Sequence, residues 1–335
     1  VSLPPPPDLY GRPRADRLFR ALIPVVAGYE RLSRYTRPVD VPVVDRDRLV
    51  VVRSRDMVAE DVVSLYLTSG GRLPRWRPGA HLDVTLPSGR RRQYSLCGDP
   101  DDLGGYRVAV RLLPDGDGGS LEVHRDVAVG SVLRIRGPRN AFPFVGRGPY
   151  LFVAGGIGIT PILPMVELAE RLGATWRLVY TGRSRATMPF LDRLSGYGSK
   201  VDVRTGLHSA ESIVAEAPEG ASVYCCGPPP MIDAVRAACA GPLHWERFSP
   251  PPVVDGEPFE IQVGTGGPVV GVSATESALD ALRRVRPDIP YSCRQGFCGT
   301  CRVPLLSGRT DSVTTKDTML TCVDRSSGGR LVVEA

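Results

Sequence analysis

Cys293, Cys298 and Cys301 follow a C-x4-C-x2-C spacing, and Cys322 comes after 20 further residues. Four thiolates at this spacing form the plant-type ligand set of a [2Fe-2S] cluster. Gly296 and Gly299 fall between the ligands, where a tightly wrapped loop needs permissive backbone and amides turned toward sulfur. No histidine alternates with these cysteines, which argues against a Rieske centre with two His ligands. Structural zinc is the competing reading, but such sites usually pair two C-x2-C knuckles, and the chain has one. Cys97, Cys225 and Cys239 read as small buried hydrophobes.

A second chemistry-bearing stretch is Gly155-Gly156-Ile157-Gly158-Ile159-Thr160-Pro161, which follows an apolar run and opens a helical pattern. Glycines between strand and helix let backbone approach a diphosphate that the helix N-terminus attracts. Such a turn also arises for packing alone. About 70 residues on, Tyr224-Cys225-Cys226-Gly227-Pro228 again closes an apolar run. Two such signals at strand ends of one sheet point to a nicotinamide dinucleotide, because ligands bind at those edges in α/β sheets.

The elements that must position these groups divide the chain into five segments. Residues 1–45 are a proline- and arginine-rich extension, read as a surface-packed helix or a docking arm. Residues 46–142 hold short alternating runs separated by Gly, Pro and Asp, the pattern of an antiparallel β-barrel. Residues 143–248 alternate strand and helix, as a nucleotide-binding α/β domain does. Residues 249–256 are a proline-stiffened linker, and residues 257–335 read as a β-grasp domain. The fold class is therefore multi-domain α+β. The 335 residues carry a net charge of +6 with no block of five basic side chains, which sets nucleic-acid binding aside. No signal-like segment and no apolar run of membrane length occurs, so a cytoplasmic location is the expectation.

Nicotinamide gives up a hydride, two electrons at once, whereas the cluster accepts one. A mediator must stand between them, and flavin serves both. Arg92-Gln93-Tyr94-Ser95 in the barrel segment fits such a group. With Gly118-Gly119-Ser120, Gly137-Pro138-Arg139-Asn140-Ala141-Phe142, the Gly155–Pro161 loop, Cys226-Gly227-Pro228, Glu246-Arg247-Phe248 and the cysteine loop in this order, residues 45–335 resemble the phthalate dioxygenase reductase group of the ferredoxin-NADP reductase superfamily.

The resemblance implies roles. Arg92 would pair with the flavin phosphate, which Gly118, Gly119 and Ser120 would cradle. Tyr94 would pack along the flavin, and Ser95 would lie near N5. Thr160 and Cys226 would sit beside the nicotinamide, while Glu246 and Phe248 close the flavin site. FMN is the flavin it favours, with FAD the alternative. NADH is the favoured donor, but Arg183, Ser184 and Arg185 could also hold a 2′-phosphate, which leaves NADPH open. The implied function is a monomeric NADH-dependent reductase that serves a separate oxygenase, either a Rieske protein or a cytochrome P450. A non-catalytic electron-transfer subunit and a stand-alone NADH oxidase or flavin reductase are the rivals. The segment from Cys301 to Cys322 is shorter than usual in the family, which puts the docking face beside the cluster in question. Residues 257–335 carry nine acidic and nine basic side chains, so no charge steering is expected there.

Overall fold

Alternation of apolar and polar side chains gives several strands of the first segment one face to bury. In the computed structural model, which describes residues 22, 24–26, 28, 47–116, 118–146, 148–248, 253–291, 294–296, 299–312 and 317–334, those strands form one antiparallel sheet. The strands are β1 (Asp47–Ala59), β2 (Val62–Thr68), β3 (Ala80–Thr85), β4 (Arg91–Ser95), β5 (Gly105–Arg111) and β6 (Val132–Asn140), in the order β4-β3-β6-β1-β2-β5. Just past β4, Leu96 bridges Val108, and the Cys97 amide donates to the Arg107 carbonyl at 2.9 Å. The two edges thereby meet and the sheet closes into a barrel around Val50, Val52, Leu65, Leu67, Leu82, Val84, Leu133 and Ile135. Neither β6 nor the helix α1 (Gly119–Asp126) follows from the sequence reading. The Gly137-Pro138 pair interrupts the alternation of β6, and α1 is a short helix that buries Val123 as its main apolar residue.

The next sheet is wholly parallel. It contains β7 (Tyr150–Gly155), β8 (Trp176–Gly182), β9 (Val201–Thr205), β10 (Ser222–Cys226) and β11 (Leu243–Glu246), in the order β11-β10-β7-β8-β9. Both faces are covered, so its central strands are apolar throughout. Tyr150, Phe152, Ala154 and Cys226 face the helix α2 (Ile159–Arg171). Leu151, Val153 and Cys225 lie in the opposite core, with Ile232 and Val235 of a later helix (Pro229–Ala238).

The last sheet comprises β12 (Phe259–Val263), β13 (Val269–Val272), β14 (Arg302–Ser307), β15 (Thr318–Leu320) and β16 (Leu331–Val333), in the order β13-β12-β16-β14-β15. β12 and β16 run parallel while the other pairs are antiparallel, and Ala278, Leu279, Ala281 and Leu282 of a short helix pack into the core, giving a β-grasp. Buried Arg325 pins the entry of this unit: its guanidinium donates to the carbonyls of Glu257 (2.7 Å), Ser273 (2.9 Å) and Glu276 (2.6 Å). The Cys301–Cys322 segment contains β14 and β15; residues 313–316 within it lie outside the described residues. Residues 1–45 separate by contacts from 46–335, and the expectation for them falls almost wholly outside the described residues. Among the described residues no helix is long and apolar enough to cross a membrane.

The loops that end β7 and β10 touch backbone to backbone. A Cβ added to Gly158 would sit 2.2 Å from the Cys226 carbonyl oxygen. One added to Gly227 would lie 3.0 Å from the Gly155 Cα, and one on Gly155 would meet Pro228 at 2.6 Å. Packing therefore accounts for Gly155, Gly158 and Gly227. Gly158→Ala is expected to cost about 1–3 kcal/mol or more in urea denaturation, through overpacking against backbone that cannot retreat. Gly196→Ala, with nothing within 4 Å of the added Cβ, should stay close to the parent.

Candidate functional site

Ser95 ends β4 of the barrel, while Cys226 and Glu246 end the neighbouring strands β10 and β11 in register. All three side chains are buried. The Ser95 hydroxyl hydrogen-bonds a Glu246 carboxyl oxygen, and the other oxygen, Oε2, is buried with no hydrogen-bond partner. Burial pushes the Glu246 carboxyl up to about 8, and the Ser95 hydrogen bond only partly offsets it. Burial, and then the charges of Glu246 and Cys225, push the Cys226 thiol well above its ordinary value. Cys226 is therefore held as a neutral thiol.

Four of the residues singled out in the barrel meet at the start of α1. A Cβ on Gly119 would fall 2.2 Å from Nε of Arg92, so that guanidinium lies directly over the Gly119 backbone. Gly118 takes φ +84° at the N-cap, a conformation glycine adopts without strain. Ser120 Oγ accepts the Leu113 amide at 3.0 Å. A fixed guanidinium beside first-turn amides is a cradle for a phosphate. Glu122 in the same turn is ionised, and its carboxylate is engaged by Ser88 and Arg90. Burial raises its carboxyl, but hydrogen bonds from the Ser88 amide (2.7 Å), the Ser88 hydroxyl (2.6 Å) and Arg90 (3.3 Å) outweigh burial and hold it low. Gln93 donates to Asp83 at 2.9 Å, and Arg139 pairs with the same carboxylate, which ties β4 to the Gly137–Phe142 segment. Tyr94 packs its ring on the barrel core. The phosphate cradle and the orphaned Glu246 oxygen both fit a bound flavin mononucleotide.

Around the glycine loop, Thr160 is buried and its hydroxyl donates to the Ile157 carbonyl at 3.0 Å. Gly156 takes φ +54°, and its missing Cβ leaves the space that an Arg111 guanidinium nitrogen borders at 2.8 Å. Arg183, Ser184 and Arg185 are exposed past the end of β8, two strands from β10. They stand apart from the Ser95–Glu246 pair. Arg183 is ion-paired with Asp61 of the barrel (3.4 Å), which also takes Nε of Arg111 (3.3 Å). Sequence reading missed Asp61 and Arg111, and no local motif marks either. Phe248 is half-exposed just past β11.

At the cluster end, Cys301 and Cys322 are buried, form no disulfide with each other and place their Sγ atoms 3.1 Å apart. That exceeds the S–S bond of about 2.05 Å and suits two thiolates converging on a common metal centre. Cys293 and Cys298 lie outside the described residues. Gly296 and Gly299 take φ +88° and +70°, in line with a wrapped ligand loop. Arg294 pairs with Asp280 of the β-grasp helix, whereas Gln295 Nε2 donates to the carbonyl of Arg247, the residue after Glu246.

A family model for the 2Fe-2S iron-sulfur cluster binding domain matches residues 261–325. The chain is 38% identical over 289 residues to phenoxybenzoate dioxygenase subunit beta of Ectopseudomonas oleovorans, covering 82% of this chain and 89% of that protein. Among solved structures, phthalate dioxygenase reductase, described as a modular structure for electron transfer from pyridine nucleotides to [2Fe-2S], aligns with a TM-score of 0.68 and 31% identity over 87% of this chain and 98% of its own. An intact type IV self-sufficient cytochrome P450 monooxygenase aligns with a TM-score of 0.70 and 36% identity over 93% of this chain; the chain spans 44% of that longer protein.

The raised Glu246 carboxyl has a signed consequence for stability. The folded state keeps this proton up to about 8, while an unfolded chain releases it near 4.5. Between those values the folded state binds the extra proton, so stability falls as pH rises and levels off above the folded value. Denaturation of the flavin-free protein should show this fall, with a contribution of up to about 1.4 kcal/mol per pH unit. Glu246→Gln should remove that contribution; an unchanged slope in this variant would place the titration elsewhere.

Proposed function

Because this chain belongs to the family of phthalate dioxygenase reductase and related oxygenase reductase components, we propose that it draws electrons from NADH through FMN to its [2Fe-2S] cluster, and passes them to a Rieske oxygenase or a cytochrome P450. The observation that carries this reading is the meeting of Ser95, Cys226 and Glu246 at three strand ends, with the cluster loop seated one residue further on. Bound there, flavin supplies the exchange between a hydride pair and single electrons. The chain's own residues bind, orient and exclude water.

Arg92 and the turn of Gly118, Gly119 and Ser120 hold the phosphate, and Tyr94 and Phe248 flank the ring system. Ser95, oriented by Glu246, keeps its hydroxyl at the hydride-accepting edge. Cys226 walls the nicotinamide as a neutral thiol. The Gly155, Gly156, Gly158 and Thr160 loop, with Gly227 and Pro228, shapes the dinucleotide's place. Arg183, Ser184 and Arg185 meet its adenosine end. Cys293, Cys298, Cys301 and Cys322 ligate the cluster. The chain acts as a monomer.

Anaerobic NADH should bleach the flavin and then the cluster in the parent protein; a flavin that stays oxidised would sink the proposal. Cys293→Ser should keep reduction of a dye that accepts directly from flavin and lose cytochrome c reduction. Full physiological turnover in that variant would instead favour a stand-alone flavin reductase.

The Asp61 pair bears on donor choice. With Arg183 held by a carboxylate, a 2′-phosphate must compete for the guanidinium. Asp61→Ala should therefore raise kcat/KM for NADPH relative to NADH by a few-fold, the order expected of an exposed ion pair. Steady-state kinetics with both donors checks this.

A further inference from the structure

We propose that Gln295 is a positioning residue: its side-chain amide latches the cluster loop to the carbonyl of Arg247 and thereby sets how fast an electron crosses from flavin to cluster. The inference rests on the relay reading above.

The cluster loop is gripped from two sides by consecutive residues. Arg294 turns back into its own unit, pairing with Asp280 and lying over the Tyr291 ring with its guanidinium 5.8 Å from the centroid. Gly296 packs on Val323, where an added Cβ would meet a methyl at 2.8 Å. Between them Gln295 points outward and donates to Arg247. These two neighbours hold the backbone on either side of Gln295.

The acceptor is equally fixed. Arg247 follows directly on Glu246, the carboxylate bound to Ser95. Its side chain is 10% exposed and faces Asp233 of the helix Pro229–Ala238 at 3.8 Å. A movement of the Arg247 carbonyl would therefore disturb both that helix and the Ser95–Glu246 pair. The covalent path between the two units runs through residues 249–256. Gln295 adds a second tie, placed between two cluster ligands on one side and beside the flavin-site carboxylate on the other. Electron passage depends steeply on separation, so a contact at this point controls the step more than one elsewhere on the surface. One hydrogen bond of ordinary strength shifts a docked-to-undocked ratio by about three- to tenfold.

The test uses the full chain with flavin and cluster. Gln295→Glu keeps the shape but has no N–H to donate, while Gln295→Lys keeps a donor. Anaerobic stopped-flow with NADH follows flavin reduction and then cluster reduction, with iron and sulfide content and the EPR spectrum checked for each variant. The expected result is a flavin-to-cluster rate about three- to tenfold lower in Gln295→Glu, dye reduction directly from flavin unchanged, and a rate restored toward the parent in Gln295→Lys. Small-angle scattering gives a readout independent of turnover: Gln295→Glu should show a larger maximum dimension. Parent-like transfer in Gln295→Glu overturns the proposal. Should that variant assemble no cluster, its scattering is compared with that of the cluster-free parent: an equal envelope overturns the proposal and a larger one supports it. A parent protein whose cluster NADH never reduces would instead overturn the relay reading itself.

Discussion

The hydrogen bond between Ser95 and Glu246 joins two sheets that share no strand. One partner ends a barrel strand and the other ends the edge strand of a parallel sheet. Burial disfavours the charged form of the carboxyl and pushes it up to about 8, so it keeps its proton near neutral pH. The barrel's motifs and the parallel sheet's glycine loop are arranged about this contact. The third sheet approaches the same place, through the carbonyl of the next residue. Electron flow from a two-electron donor to a one-electron carrier needs such a junction, because the intermediate group must touch both.

The residues on either side of the junction differ in how they are fixed. In the barrel, hydrogen bonds and ion pairs do the positioning: Gln93 and Arg139 share Asp83, while Ser88 hydrogen-bonds and Arg90 ion-pairs with Glu122. In the parallel sheet, steric contact does it. Gly155, Gly158 and Gly227 let the ends of β7 and β10 approach until no side chain fits between them. The meeting of those two loops is thus backbone against backbone, whose position is not subject to rotamer choice.

Much of this was legible in the sequence where the signal is local. The cysteine spacing named the cluster, and the apolar runs before Gly155 and Gly227 placed them at strand ends. Arg92 and Gly118–Ser120 could be paired only by resemblance, since 25 residues separate Arg92 from Gly118 and only the barrel brings them together. Contacts between distant residues of ordinary type stayed hidden. Asp61 reaches Arg183 across 122 positions and Gln295 reaches Arg247 across 48, with no spacing rule to announce either. Short strands such as β11, β14 and β15 were also missed, because three to six residues carry too little periodicity to separate strand from loop. The glycines show a subtler limit: their type was informative, but whether each faced a ligand or the protein needed coordinates.

Cys301 and Cys322 stand at the open end of the β14–β15 hairpin. Arg302 is paired with Leu320, and Thr321 donates both its amide (3.2 Å) and its hydroxyl (3.1 Å) to the Cys301 carbonyl. A metal centre held between these sulfurs would staple the two ends of the hairpin, and free energy of metal binding would become free energy of folding. Assembly of the last sheet would then be coupled to cofactor delivery, with the cluster closing a hairpin whose strands are already paired.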